Sequence, residues 1–360
     1  MVKGRGGLFG LLRGFEMPHG PLLRLDGAVK TSLNLLFLAK WAEGDGSPQG
    51  EDGTHAVYHA ELRETLRTIG FNVEASGRME RLFEPLDGTD FIVSFMNRFG
   101  FSGSEVLAPL LSRFHEKPFF GANPILRGLG DDKHLMKLAV RGRDVATPDW
   151  MTVRRGAMAI PEPAFPWERL IIKPNASSAS WGIKVVDTWT EAKDHTVKLL
   201  AQDHDVIIES FVAGFEIALP VVGSNGPWIL PALHMDPGNN TAVRTYEQKR
   251  HLTGGADTVK LTVIQDASLL ATLEDAAIRI LPEIWPHDFG RMEFKYDQET
   301  NTLNFIEINL NCNLWSKKAS SVSAQSLGIS HNDFVETLMA HSLRRQGLVA
   351  DSDVTAVEIP

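Results

Sequence analysis

The chain has 360 residues, 43% hydrophobic and 22% charged, which is typical of a globular protein with two or three subdomains. Its formal net charge of −9 argues against general electrostatic binding to nucleic acid or to anionic membranes. The single cysteine, Cys312, excludes an intramolecular disulfide, and no apolar run approaches the roughly 20 residues that span a bilayer. We therefore predict a cytoplasmic protein.

The predicted elements divide the chain into three units between two terminal segments. Residues 1–30 are rich in Gly and Pro and are predicted to form an irregular arm. Strands and helices alternate over residues 31–120, which is typical of a parallel α/β domain. Residues 121–209 and 210–345 are predicted to be two further units in which strands pack on helices. Residues 346–360 are predicted to be a loose polar tail.

A predicted β-hairpin over residues 291–309 carries two carboxylates and an amide. Side chains alternate between the two faces of a strand, so Arg291 shares a face with Glu293, and Glu307 shares a face with Asn309. When the strands pair, the oxygen-bearing side chains can converge on one point. Hard oxygen ligands beside a guanidinium suit magnesium bound to a phosphate chain. Taken alone, the pattern fits an exposed, charged hairpin equally well.

Two lysines stand where phosphate binding is favoured. Lys173 ends an apolar strand before a loop of small residues, 175–182, whose backbone N–H groups and hydroxyls can approach an anion. Lys133 lies near a predicted helix start, where the helix dipole attracts phosphate. A solvated lysine beside an ordinary turn is the alternative for each. Further on, the strand 206–209 can offer its backbone to a purine edge, and Glu216 can bind ribose hydroxyls.

In this order along residues 119–345, these segments resemble the ATP-grasp superfamily, and within it the D-alanine–D-alanine ligase branch. The resemblance implies an α/β fold of three subdomains, α+β in the ATP-grasp part, with the nucleotide between two antiparallel sheets. It implies that ATP is bound by Lys133, Lys173, Ser178, Ser180, Glu209, Ser210, Phe211, Val212, Glu216 and Lys249. It implies two magnesium ions, or manganese in their place, on Glu293, Glu307 and Asn309. The implied catalytic residues are Arg291, Lys249 and Ser180.

The resemblance also implies a reaction. ATP phosphorylates a substrate carboxylate, and the amine of a second substrate displaces phosphate from the acyl phosphate, which gives an amide, ADP and phosphate. Cationic side chains and magnesium offset the charge of the phosphate chain, and Arg291 stabilises the transferred group. The implied partners are small-molecule carboxylate and amine substrates, with no nucleic acid and no membrane. A homodimer is common in the family.

The substrate end departs from the pattern of D-alanine–D-alanine ligases. The first β–α loop lacks the sequence Gly-Gly-x-Ser-x-Glu that this branch has. In the matching loop, Glu43 is the acidic residue that could replace the glutamate of that sequence. Arg250 stands where the family usually has an aromatic residue. The segment after Asn309 lacks the family's Pro-Gly and carries other side chains for the acceptor: Ser316, Lys317 and Lys318. These departures predict a bulkier or more anionic acceptor, in the metabolism of an amino acid or a related compound.

Three alternative functions stay open from the sequence. The acceptor could be the thiol of an acidic carrier protein, which a basic patch of Arg250, Lys317 and Lys318 would suit. The chain could be a true D-alanine–D-alanine ligase. It could also be a non-catalytic nucleotide-binding module, although the intact set of Lys173 and Arg291 with the hairpin carboxylates speaks against that.

Overall fold

The structure, a computed structural model of the chain, describes residues 22–50, 52–97, 103–177, 180–223, 228–236 and 259–359. The described strands form a three-stranded, a four-stranded, a six-stranded and a two-stranded sheet. The predicted α/β class with two antiparallel ATP-grasp sheets is confirmed. No described helix is both long and apolar enough to cross a bilayer.

The N-terminal unit contains a parallel sheet, as the alternation of strands and helices predicted. Its elements are β1 (Leu22–Leu25), α1 (Gly27–Ser32), β2 (Asn34–Leu38), α2 (His55–Ile69), β3 (Asn72–Ser76), β4 (Phe91–Ser94) and α3 (Leu107–Phe114). The parallel strands pair in the order β3–β2–β4. Helix α2 ends at Gly70, whose φ of +118° lies in the left-handed region that glycine adopts without strain.

The central unit is a four-stranded antiparallel sheet packed on helices. Its elements are α4 (Pro124–Asp131), α5 (Lys133–Arg141), β5 (Trp150–Val153), β6 (Leu170–Pro174), β7 (Lys184–Val186), α6 (Trp189–Ala201) and β8 (Val206–Ser210). The strand order is β5–β8–β6–β7, so β6 and β8 lie at the centre. Asp132 caps helix α5, because its Oδ1 accepts a hydrogen bond of 2.9 Å from the backbone N–H of Leu135.

The C-terminal unit is built on a six-stranded antiparallel sheet. Its elements are β9 (Phe215–Val222), β10 (Trp228–Ile229), β11 (Leu233–Asp236), β12 (Lys260–Val263), α7 (Ala267–Ile280), β13 (Phe289–Asp297), β14 (Thr302–Asn309), α8 (Ala319–Gln325) and α9 (His331–Arg345). One face of the sheet is apolar, with Met292 and Phe305 in a core shared with Leu273 of α7. Side chains at alternate positions of β13 therefore lie on the opposite face. A register shift beside Glu293 and Phe294 keeps both Phe305 and Ile308 of β14 on the apolar side.

Helix α9 completes the core of the N-terminal unit, although the sequence places it with the C-terminal one. Phe334 and Leu338 of α9 are buried in the same cluster as Phe37 of β2 and Leu62 of α2. The apolar face of α9 therefore packs against residues that precede it by more than 250 positions.

The two terminal segments are more ordered than predicted. Strand β1 and helix α1 occupy part of the segment predicted to be an irregular arm, and β1 pairs antiparallel with β15 (Val354–Val357), in the segment predicted to be a loose tail. Glu336 of α9 is buried beside this pair, where its carboxylate accepts hydrogen bonds from the backbone N–H of Leu25 at 3.0 Å and from Arg24 Nη1 at 2.8 Å. Both predictions of irregular ends are wrong for the described residues, because strand pairing supplies partners that no local pattern shows.

Replacing Glu336 with Ala is expected to lower the free energy of unfolding by about 3 kcal/mol, because it leaves the N–H of Leu25 and the ammonium of Lys30, 3.0 Å from the carboxylate, without their partner. Urea denaturation followed by circular dichroism measures this change. Asp333→Ala is the matched control, since Asp333 binds Arg24 at the surface, and it should cost less than about 1 kcal/mol. Equal losses in the two variants would contradict the burial argument.

Candidate active site

A cleft lies between the four-stranded and the six-stranded sheets. It spans about 730 Å³ of non-atom space, part of which is open solvent. Most of the described residues predicted to bind nucleotide or metal line it, and they come from both sheets: Lys133, Lys173, Ser180, Glu209, Ser210, Phe211, Val212, Glu216, Glu293 and Glu307. The structure therefore brings these residues to one cleft, from both of its walls.

The hairpin of β13 and β14 brings its polar side chains together, as side-chain alternation predicted. Glu293 lies opposite Glu307 in the strand register, and Arg291 lies opposite Asn309. The amide Nδ2 of Asn309 donates to Glu293 Oε1 at 3.2 Å and to Glu307 Oε1 at 3.4 Å. Arg291 Nε donates to Glu293 Oε1 at 3.0 Å. The two carboxylates, the amide and the guanidinium thus form one cluster on the cleft face.

Arg291 keeps its charge in this cluster although it is partly buried. Burial alone would lower the pKa of Arg291, but the carboxylate of Glu293, and more weakly that of Glu307, outweigh it and raise the pKa above its ordinary value. A permanent cation therefore stands beside the two acids.

The donor chemistry of the cluster fits a hard divalent cation. Glu293, Glu307 and Asn309 offer carboxylate and amide oxygens, which magnesium and manganese prefer. Among the described residues, no group of three or more His, Cys, Asp or Glu side chains is arranged around a metal position. A metal here would therefore rest on two carboxylates, an amide oxygen and groups of the bound nucleotide.

Lys133 connects the central unit to the hairpin. It is buried at the start of α5, where its Nζ lies 3.6 Å from Glu307 Oε2 and donates to the carbonyl oxygen of Ser177 at 3.0 Å. The ammonium is thus placed between the small-residue loop and the acidic cluster, near the positive end of the helix dipole. A phosphate chain in the cleft would meet it there.

Lys173 shares a buried carboxylate with a second lysine that the sequence analysis missed. Glu209 Oε1 lies 2.9 Å from Lys173 Nζ, and Glu209 Oε2 lies 3.3 Å from Lys137 Nζ. Lys137 also donates to Thr147 Oγ1 at 2.7 Å and is completely buried. Its position one helical turn after Lys133 was the available signal, since residues at i and i+4 lie on the same side of a helix.

Lys295 is a second cleft residue that the sequence analysis missed. It follows Arg291 and Glu293 at alternate positions of β13, so the strand period places it on the same face. It lies opposite Glu216 in the register of β13 and β9, and its ammonium stands 5.7 Å from the centroid of the Phe211 ring. Burial lowers the pKa of Lys295, and Glu216 opposes that change.

The residues predicted for the substrate end do not line this cleft. Glu43 accepts a hydrogen bond of 2.9 Å from the backbone N–H of Gly77 within the N-terminal unit. The N–H of Ser316 donates to Glu61 Oε1 at 3.0 Å. The ammonium groups of Lys317 and Lys318 lie 5.4 and 5.7 Å from the Trp315 ring centroid. The remaining predicted residues lie outside the described part of the chain: Ser178, Lys249 and Arg250.

Glu61 of α2 is a further residue that the sequence did not single out. Besides the N–H of Ser316, it accepts a hydrogen bond of 2.8 Å from Trp315 Nε1. It therefore fixes the turn that carries Lys317 and Lys318 against the N-terminal unit. The two partners lie 254 and 255 positions apart from Glu61, so no local pattern could indicate the contact.

Comparisons with known proteins agree with this geometry. A family model described as D-ala D-ala ligase C-terminus matches residues 142–340. The D-alanine–D-alanine ligase of Aquifex aeolicus (strain VF5) is 26% identical over 195 residues, which cover 53% of this chain and 62% of that protein. D-alanine–D-alanine ligase B of Clostridium perfringens (strain 13 / Type A) is 24% identical over 270 residues, which cover 74% of this chain and 84% of that protein.

The structure of the Bacillus anthracis D-alanine–D-alanine ligase complexed with ATP is similar in fold. The TM-score is 0.68 at 17% identity, over 88% of this chain and 99% of that one. Together with these relatives, the two antiparallel sheets on either side of the cleft identify an ATP-dependent, C–N bond-forming ligase of the ATP-grasp class. The family match covers more than half of the residues. The chain belongs to the D-ala D-ala ligase C-terminus family.

Proposed function

We propose that this protein uses ATP to activate a carboxylate as an acyl phosphate and then joins it to an amine. The observation that carries the proposal is the single cluster of Arg291, Glu293, Glu307 and Asn309, which faces the cleft lysines. This arrangement can neutralise a phosphate chain and the charge that develops as phosphate is transferred. A nucleotide-binding module without catalysis would need the lysines but not the guanidinium of Arg291 beside paired acids.

In this proposal, each wall of the cleft has one task. Lys133 and Lys173 bind and orient the phosphate chain, and the segment Glu209–Val212 lies along the base while Glu216 binds the ribose. Arg291 stabilises the phosphoryl group during transfer. Magnesium, held by the hairpin oxygens, would supply charge neutralisation and a template for the phosphates.

The loop around Ser180 is proposed to cover the site. Ser180 lines the cleft and has φ of +59°, a left-handed conformation that is uncommon for residues other than glycine. A hydroxyl and backbone N–H groups at this position can contact phosphate and keep water from the acyl phosphate. Ser178 and Lys249 are proposed to belong to the same phosphate-binding set by their resemblance to the family.

The proposed acceptor is an amine that carries a negative charge. Lys317 and Lys318 place two ammonium groups beside the Trp315 ring, in a turn that Glu61 fixes. A pair of cations next to an aromatic surface favours an anionic and partly apolar compound. Arg250 is proposed to contribute to the same specificity, whereas Glu43, bonded to Gly77, is a weaker candidate for the donor's amine.

Lys318→Ala is expected to raise the KM for the acceptor about tenfold and to leave the KM for ATP within about twofold, because Lys318 is proposed to attract the acceptor and does not line the nucleotide cleft. Initial rates of phosphate release at varied concentrations of each substrate measure both constants. Lys198→Ala, which removes an exposed lysine from α6, is the matched control. A similar rise in the KM of ATP would remove Lys318 from the acceptor site.

The proposed function is tested by a phosphate-release screen. The enzyme is incubated with magnesium, ATP and pairs of carboxylates and amines, including amines with an additional acidic group, and the products are identified by mass spectrometry. Amide formation with stoichiometric phosphate is the expected result. Phosphate release only with an added carrier protein, with a thioester as product, would favour the carrier-thiol alternative. Sedimentation equilibrium tests the proposed homodimer separately.

A further inference from the structure

Lys137 is a charged group that the proposed mechanism does not use. It lies on the inner face of α5 and is completely buried, and the described residues that line the cleft include Lys173 but not Lys137. Fully buried lysines are rare unless they are paired, because taking an ammonium group out of water is costly. Such a residue therefore requires an explanation.

The partners of Lys137 lead directly to the cleft wall. Its ammonium lies 3.3 Å from Glu209 Oε2, on the side of the carboxylate opposite to Lys173. Lys173 lies 2.9 Å from the other oxygen, Oε1. That oxygen accepts no hydrogen bond of good geometry among the described residues, so its contact with Lys173 is mainly electrostatic. One carboxylate therefore serves two ammonium groups from two different elements.

The net charge of Lys137, Glu209 and Lys173 determines how strongly this wall of the cleft attracts a nucleotide. Two ammonium groups and one carboxylate give a net charge of +1 at the wall. Without the charge on Lys137, Glu209 and Lys173 would form a neutral pair, and the carboxylate would attract Lys173 alone. Because the site is shielded from water, such a change of one unit charge at short range is strongly felt.

We propose that Lys137 is a positioning residue for the nucleotide: by sharing Glu209, it leaves the ammonium of Lys173 available to the phosphate chain. The inference rests on the proposed function, since it assumes that the cleft binds ATP. Lys137 itself touches neither nucleotide nor substrate. Thr147, whose Oγ1 donates in turn to the carbonyl oxygen of Phe305 at 2.9 Å, fixes the ammonium at the base of the cleft.

The pKa of Lys137 provides an independent test of this role. The pKa of Lys137 is lowered from 10.5 to about 8, with burial as the largest cause; Glu209 opposes the change, and the nearby cations Lys173 and Arg141 add to it. As pH rises through about 8, Lys137 loses its proton and the group loses its net charge. Affinity for ATP should therefore fall in the alkaline range.

Lys137 affects the stability of the folded chain in the opposite direction: as pH rises above 8, ATP affinity should fall while this residue's contribution to stability increases. Its pKa is lower in the folded chain than in the unfolded chain, so between pH 8 and 10.5 the unfolded chain binds more protons. Deprotonation of Lys137 consequently stabilises the folded state as pH rises. A fall in nucleotide affinity above pH 8 cannot then be ascribed to unfolding driven by this residue.

The experiment measures binding of a non-hydrolysable ATP analogue, with magnesium, by titration calorimetry. Lys137→Met keeps the length of the side chain and removes the charge, and we expect about tenfold weaker binding from the loss of one unit charge near the site. The wild type should lose affinity as pH rises from 7 to 9, whereas the Met variant should show a flat profile. Lys198→Met, on the exposed side of α6, is the control and should bind as the wild type does.

A double variant separates charge from packing. In Lys137→Met with Glu209→Gln, Lys173 faces a neutral amide, so the net charge returns to +1. Affinity for the analogue should recover to within about threefold of the wild type, which a purely structural role of Lys137 does not predict. The backbone of residue 209 is unchanged by the second substitution.

The outcomes that overturn the inference differ from those that overturn the proposed function. Equal affinity in the wild type and in Lys137→Met, or no recovery in the double variant, overturns the inference alone. If Lys137→Met does not fold, a pH-independent affinity of the wild type between pH 7 and 9 overturns it. If the wild type fails to bind the analogue at every pH, that result overturns both the proposed function and the inference.

Discussion

Replacing Glu307 with Gln is expected to abolish ligase turnover, with kcat reduced at least about a thousandfold, while the fold is retained. The amide has the same shape and can remain in the hairpin, because Glu307 is paired with Glu293 through backbone strands and not through its own charge. The carboxylate charge is what would hold a divalent cation at this position. Its loss would leave the phosphate chain less neutralised during transfer, and it would also remove the ionic partner of Lys133.

Steady-state phosphate release and thermal unfolding test this expectation together. Glu299→Gln, an exposed acid in the turn of the same hairpin, is the matched control and should retain full activity. A second measurement is the magnesium concentration needed for half-maximal rate, which should rise in any residual activity of the Glu307 variant. An inactive Glu307→Gln protein that is also unfolded would contradict the proposed role, and so would a variant with unchanged kcat.

Replacing Arg291 with Met is expected to lower kcat by about 10³, the lower end of the effect of an arginine that stabilises phosphoryl transfer. The guanidinium is partly buried and permanently charged beside Glu293 and Glu307, so no other described group on β13 stands in the same position. Because the interaction is proposed to strengthen only in the transition state, the KM for ATP should change by less than about threefold.

Arg291→Lys provides the intermediate case. It keeps the charge but loses the planar, two-donor geometry, and we expect a loss of about 10² in kcat. Arg279→Met removes an arginine that pairs with Asp275 on the surface of α7, and this control should leave kcat unchanged. If the variants lost kcat/KM only because KM rose, with kcat unchanged, Arg291 would bind the ground state and would not act on the transfer step.

The parts of the site that the sequence predicted are those that follow from short-range rules. Strand alternation places Arg291 with Glu293, and Glu307 with Asn309, whatever the rest of the chain does, and the structure brings these side chains together. The small-residue loop after Lys173 and the position of Lys133 at a helix start are equally local features. The family resemblance then connected these segments through their order along the chain, because no single motif specifies that order.

The parts that the sequence missed depend on partners far away in the chain. Lys137 was not singled out because a lysine on a helix is ordinarily exposed, and its partner Glu209 lies on a strand 72 positions later. Glu61 and the turn at Trp315 are separated further still. Strand β1 has only four residues, too few for a periodic signal, and its partner lies near the other end of the chain.

The placement of helix α9 has a consequence for how the protein is made. Phe334 and Leu338 leave the ribosome more than 250 residues after β2 and α2, with which they share a core. Until then the part of this core that α9 covers stays open in the nascent chain. Domains made first usually fold first. Here the N-terminal unit has to wait for α9, which makes the growing chain a candidate client of ribosome-associated chaperones.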